Sequence, residues 1–216
     1  MKIRLVLLFL LLHGLYAGQA QESNRFQKEV AAITAADSSY KNREVIIFTG
    51  SSTIRMWKTL HEDFREYPVI NHGFGGSQMT DLLFFDDELI LQYKPKKIFI
   101  YEGDNDIASS KTTARILSSA DSLVKSIRQK FPKTPLYFIS AKPSISRWNL
   151  KEKYVEYNSA LKAFAANRKN VFYVDLWTPM IDKNGVVFQD IFIEDGLHMN
   201  PKGYAIWKKT IAPYLK

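Results

Sequence analysis

The chain contains no cysteine. No disulfide can staple it, so stability has to come from an ordinary apolar core, and a lipoprotein anchor through an N-terminal cysteine is excluded. Long apolar runs are scarce as well. The run LVLLFLLL at 5–12 is too short for an ordinary transmembrane helix. Lys2 and Arg4 precede it, and the small residues Gly18 and Ala20 follow, which is the layout of an export signal. Residues 1–20 are therefore read as a signal peptide and 21–216 as one domain of a periplasmic or secreted protein. Internal repeats, low-complexity tracts and Gly/Ser linkers are missing. The remaining length suits a single α/β domain with a substantial core.

Several catalytic signatures are missing too. There is no GxSxG elbow, no GxGxxG fingerprint, and no HxH, DxH or HExxH metal motif. The formal net charge is +8, two fewer once Lys2 and Arg4 are set aside, but the basic residues are scattered. Their densest cluster, Lys94-Pro95-Lys96-Lys97, precedes an apolar stretch and reads as a solvated strand start. No basic motif interleaved with aromatics accompanies it, so no nucleic-acid partner is expected.

Histidine is rare, with four in the chain. His13 lies in the leader, His61 in the charged stretch LHEDFRE, and His72 at the end of a predicted strand. His198 alone follows a carboxylate, Asp195, at the spacing of an acid that orients an imidazole. Taken alone, this segment reads more readily as a turn before a helix cap.

Five short apolar stretches alternate with helical patterns: 44–48, 68–72, 97–101, 135–140 and 171–176. Ile116, Ala120, Leu123, Val124, Ile127 and Phe131 share one helical face, as do Tyr154, Tyr157, Leu161 and Phe164. Phe26, Val30 and Ile33 mark a short amphipathic helix ahead of the first strand. Asn200 and Pro201 form a cap and first position for a last helix, with Tyr204, Trp207 and Ile211 facing inward. The pattern implies a parallel sheet with right-handed crossovers, whose ligands sit at the carboxyl ends of the strands.

The residues after each strand are therefore the ones to read. Gly50-Ser51-Ser52 puts hydroxyls at a strand-to-helix turn, where a serine could also serve only as a cap. Gly73-Phe74-Gly75-Gly76 allows close backbone approach, or simply a tight turn. Glu102-Gly103-Asp104-Asn105-Asp106 offers a side-chain amide for an oxyanion, an Asx turn, or a carboxylate cluster for a metal. The loop 141–148 is basic and aromatic. Lys142 and Arg147 are its candidate substrate contacts, unless the loop is a surface turn pinned by Trp148. The stretch 177–194 is weakly patterned.

In this order, the four blocks resemble the SGNH/GDSL hydrolase superfamily from about residue 44 to the C-terminus. Gly50-Ser51-Ser52 corresponds to its Gly-Asp-Ser turn, with Ser51 in place of the acid. Gly76 corresponds to its oxyanion glycine, Gly103-Asp104-Asn105-Asp106 to Gly-x-Asn-Asp, and Asp195-Gly196-Leu197-His198 to Asp-x-x-His. The resemblance implies a flavodoxin-like three-layer α/β/α sandwich around a five-stranded parallel sheet. It also implies a metal-independent serine esterase without a cofactor. Ser52 would be nucleophile, His198 base and Asp195 its orienter, with the N–H groups of Ser52 and Gly76 and the Asn105 side chain as oxyanion donors. The pattern is similar to the platelet-activating-factor acetylhydrolase-like and carbohydrate-esterase branches. They point to short acyl groups, chiefly acetyl, on a small molecule or glycan, and to no stable membrane partner. Two other readings stand beside this one: a non-catalytic carbohydrate- or cell-wall-binding protein on the same scaffold, and a metal-dependent phosphoesterase using Glu102, Asp104, Asp106 and His198.

Overall fold

The computed structural model describes residues 24–216. The expected signal peptide at 1–20 lies outside the described residues. Among the described residues no helix is long and apolar enough to cross a membrane.

Five strands form one parallel sheet: β1 (Glu44–Gly50), β2 (Val69–Gly73), β3 (Lys94–Tyr101), β4 (Leu136–Ile139) and β5 (Val171–Val174), in the order β2-β1-β3-β4-β5. This is the doubly wound order whose strand sequence reverses beside β1. All five apolar stretches became strands. The one clear difference is at β3, which begins at Lys94 rather than 97, because Lys94 and Pro95 still pair with Glu44 and Val45 of β1.

Alternation along the strands divides the core in two. Val45, Ile47, Ile98, Ile100, Leu136 and Phe138 face one side of the sheet. There they pack against α1 (Gln27–Ala36), α4 (Met79–Phe84), α6 (Thr113–Lys130) and α7 (Lys151–Ala166), whose buried residues join the same cluster. Ile46, Phe48, Phe99, Tyr101, Tyr137 and Ile139 face the other side. That side is closed by α2 (Ser52–Arg55), α3 (Leu60–Asp63) and α8 (Pro201–Ile211), through Ile54, Trp57, Leu60, Trp207 and Ile211. Helix α5 (Asp104–Ala108) follows β3 directly. Phe48, Phe99, Tyr137 and Phe172 stack nearly parallel across four neighbouring strands, with centroids 4.5, 4.6 and 5.1 Å apart. These contacts fix the relative heights of the strands, and so the level at which each chain leaves the sheet.

The Asn200 side chain caps α8 by accepting from the N–H groups of Lys202 and Gly203, as its sequence predicts. The weakly patterned stretch before it is tied down by isolated antiparallel bridges, Ile181 to Val187 and Phe192 to Met199. The second bridge pins the two ends of the turn that carries Asp195 and His198.

Candidate active site

β1 ends in a turn that only glycine can make. Gly50 has φ +123°, and a Cβ there would lie 2.0 Å from the Tyr101 carbonyl oxygen on β3. The close approach lets the Ser51 N–H bond to that same oxygen at 3.1 Å. Ser51 is turned inward, 1% exposed, and stands at the cap position of α2 without a side-chain capping bond. Ser52 opens the helix, partly exposed at the carboxyl edge of the sheet. The structure thus separates the two serines: one is buried, and the other faces His198.

Ser52 Oγ lies 2.9 Å from His198 Nε2. On the far side of the ring, His198 Nδ1 lies 2.5 Å from Asp195 Oδ2. Asp195 Oδ1 accepts from the backbone N–H groups of Leu197 and His198, each at 2.8 Å. The turn therefore orients its own acid. Desolvation works against the Asp195 charge, but hydrogen bonds from the His198 side chain and from the two backbone N–H groups hold its carboxyl below the usual range. The acid is anionic at neutral pH, and Nδ1 is the nitrogen that carries the proton in the neutral ring. Nε2 is then free to accept from Ser52.

Two backbone N–H groups and one side-chain amide follow the ends of β1, β2 and β3. The backbone N–H groups of Ser52 and Gly76 have no acceptor among the described residues. Gly76, with φ +71°, sits in a turn steadied from α1, where Glu29 accepts the Gly75 N–H on both carboxylate oxygens at 3.1 and 3.2 Å. Asn105, on α5, donates one amide hydrogen to the Ser77 carbonyl at 2.9 Å. Its Oδ1 accepts from Arg147 Nη2 at 3.0 Å. Two α5 neighbours are taken up elsewhere. Asp104 is buried against Tyr101, Tyr154, Arg147 and Lys142. Asp106 accepts the Met79 N–H and pairs with Lys111.

The carboxylate cluster seen in the sequence is therefore dispersed. Glu102 Oε1 accepts from Ser77 Oγ at 2.6 Å, and burial, with Asp106 nearby, pushes its carboxyl well above the usual range. Among the described residues, no three His, Cys, Asp or Glu side chains are grouped to hold a metal ion.

The expected substrate contact at Lys142 needs correction. Its side chain is 0% exposed, with Nζ bonded to the Leu197 carbonyl at 2.6 Å and 3.9 Å from Asp104 Oδ2. A sequence of basic and aromatic residues suggested a surface loop, but the β4 end carries this lysine inward to brace the turn that holds Asp195 and His198. Arg147 is 19% exposed at its side chain and is bound to Asp104 and Asn105. The same loop touches the Asp195 turn directly, through a Ser146 N–H to Gly196 carbonyl bond of 3.1 Å. Glu29, Ser77 and Tyr154 were not legible as site residues. Each looks like an ordinary helix or turn residue until tertiary packing brings it to the edge.

Several solved structures share this architecture. A provisionally assigned platelet activating factor from Streptococcus pneumonia matches with TM-score 0.78 at 24% identity, over 93% of this chain and 99% of that chain. A GDSL-like lipase from Bacteroides thetaiotaomicron matches with TM-score 0.70 at 20% identity, over 89% and 96%. A variant of an acetyl-xylooligosaccharide esterase from Geobacillus matches with TM-score 0.66 at 15% identity, over 82% and 95%. At these identities the likeness is one of fold, and the class it defines is the SGNH-type α/β/α sandwich. The chain belongs to the GDSL-like lipase/acylhydrolase family, whose family model matches residues 19–206, and so to a group of hydrolases acting on esters. No curated protein matches the chain.

Proposed function

We propose that this protein is an exported serine esterase that removes short acyl groups, chiefly acetyl, from carbohydrate. The observation that carries this reading is the continuous array from Asp195 through His198 to Ser52, with steps of 2.5 and 2.9 Å. In the proposed reaction, Ser52 Oγ attacks the ester carbonyl as His198 Nε2 takes its proton. The Ser52 and Gly76 N–H groups and the free N–H of the Asn105 amide receive the oxyanion, a donor of this kind lowering the barrier by roughly 3–4 kcal/mol. His198 then protonates the leaving alcohol. The acyl group stays on Ser52 until water, deprotonated by the same nitrogen, releases it as the acid.

The acetyl-xylooligosaccharide esterase among the structural neighbours supports the carbohydrate part of the reading. The export layout of residues 1–20 supports a substrate met outside the cytoplasm. Hydrolysis of p-nitrophenyl acetate and release of acetate from acetylated xylan test both parts. The wild type is expected to turn over each substrate with EDTA present, and Ser52→Ala to turn over neither. Undiminished turnover by Ser52→Ala removes the serine mechanism, and glycan binding without turnover by the wild type replaces it with a binding protein.

A further inference from the structure

Behind the three N–H donors lies a buried polar assembly that the reaction above does not use. We propose that Arg147 is a positioning residue: its guanidinium fixes and polarises the Asn105 amide, so that one N–H of that amide faces the oxyanion. This inference rests on the serine-esterase reading.

An Asn side chain can sit in either of two flipped orientations, and only one presents a donor at a given point. Both neighbours of Asn105 select the same orientation. Arg147 Nη2 can only donate, and it stands 3.0 Å from Oδ1. The Ser77 carbonyl can only accept, and it stands 2.9 Å from Nδ2. A flipped amide would set donor against donor and acceptor against acceptor, two partly buried mismatches at once. With Oδ1 and one N–H spoken for, the second N–H remains for the substrate. The carbonyl that holds Asn105 belongs to the residue after Gly76, so two of the three donors are mechanically joined.

Arg147 is itself anchored. Its Nη1 pairs with Asp104, which also accepts from Tyr154 and from Tyr101 Oη at 2.9 Å. The planar fork thus spans neighbouring residues of α5, one carboxylate and one amide, an arrangement that a lysine ammonium cannot copy. The guanidinium also places a cation directly against Oδ1, behind the amide. Lys142, which also lies near Asp195, joins Arg147 on the Asp104 carboxylate. Burial would push that carboxyl up, but the two cations and its hydrogen bonds hold it below the usual range. A guanidinium drawing on Oδ1 makes the amide N–H a stronger donor.

The test is a double-mutant cycle on p-nitrophenyl acetate with Ser52→Ala as the inactive reference. Arg147→Ala is expected to lower kcat by about 10- to 100-fold while KM stays within about twofold, because the lost interaction matters only when the oxyanion forms. In an Asn105→Ala background the same change is expected to cost no more than about twofold, since the group it positions is gone. Arg147→Lys keeps a cation on Asp104 and serves if the alanine variant fails to fold. Its kcat is expected to fall at least about fivefold at an unchanged thermal midpoint. A raised KM with kcat intact, a loss of full size in the Asn105→Ala background, or wild-type kcat in Arg147→Lys overturns the role of Arg147. Those outcomes leave the serine mechanism standing, whereas full activity in Ser52→Ala removes both.

Discussion

Replacing Asp195 by Asn should disable the enzyme while leaving its fold almost untouched. The Asp195 carboxylate accepts three bonds: two backbone N–H groups at 2.8 Å on Oδ1 and the His198 ring on Oδ2. An amide in this place must turn its oxygen to the backbone donors, which leaves its NH2 facing Nδ1. Nδ1 then has to accept, and the ring proton moves to Nε2, directed at Ser52 Oγ across 2.9 Å. A base with its proton already in place cannot take another. The same exchange of tautomer in a serine–histidine–aspartate triad costs about 10⁴ in kcat, which is roughly 5 kcal/mol of barrier. The Asp195 side chain is 42% exposed, and an ion pair this open contributes at most about 1 kcal/mol to folding. Steady-state kcat on p-nitrophenyl acetate, set beside the urea midpoint, separates the two quantities. A well-folded Asp195→Asn variant that keeps more than about a tenth of wild-type kcat refutes the assigned proton path.

Other substitutions test the supports of the site. Gly103→Ala places a Cβ at φ +106°, 2.5 Å from the buried Tyr157 ring. It should cost about 2 kcal/mol or more in urea unfolding and lower kcat by disturbing α5, which carries Asn105. Glu102→Gln should change the pH dependence of stability. Burial and then Asp106 raise the folded Glu102 carboxyl above its unfolded value. The unfolded chain therefore loses this proton first, and stability falls as pH rises from about 4.3 towards the raised folded value. Glutamine has no proton to lose. The variant and wild type should match near pH 4, and the variant should gain on the wild type as pH rises to 7. Parallel stability curves over that range contradict a protonated Glu102.

Much of this was legible in the sequence because it is local. A buried parallel strand is a short apolar run, and the residue after it must lie at the sheet edge. Ser52, Gly76 and Asn105 all follow strands by a few positions, and Asp195 and His198 share one turn. Topology brings Ser52 beside His198 and sets Gly76 and Asn105 just after the ends of neighbouring strands. The supports were not legible because each acts across the sheet. Glu29 reaches the Gly75 amide over 46 positions, and Tyr154 reaches Asp104 over 50. Tyr154 obeyed a helical period and reads as core, which it is, yet its hydroxyl is spent on the carboxylate behind Asn105. Lys142 misled for a related reason. A lysine in a short basic loop is normally solvated, and only the inward course of the chain after β4 reveals that this one is enclosed. The separation of Ser51 from Ser52 likewise needed coordinates, since it depends on which way the chain turns at Gly50.

The central claim, that Ser52 is the nucleophile and His198 its base, is tested most directly by covalent labelling. A fluorophosphonate should add once per chain, on the peptide containing Ser52, with activity lost in proportion to labelling, and His198→Ala should slow the reaction at least about 10²-fold. Labelling on another residue, or full Ser52 modification with activity intact, would contradict the account.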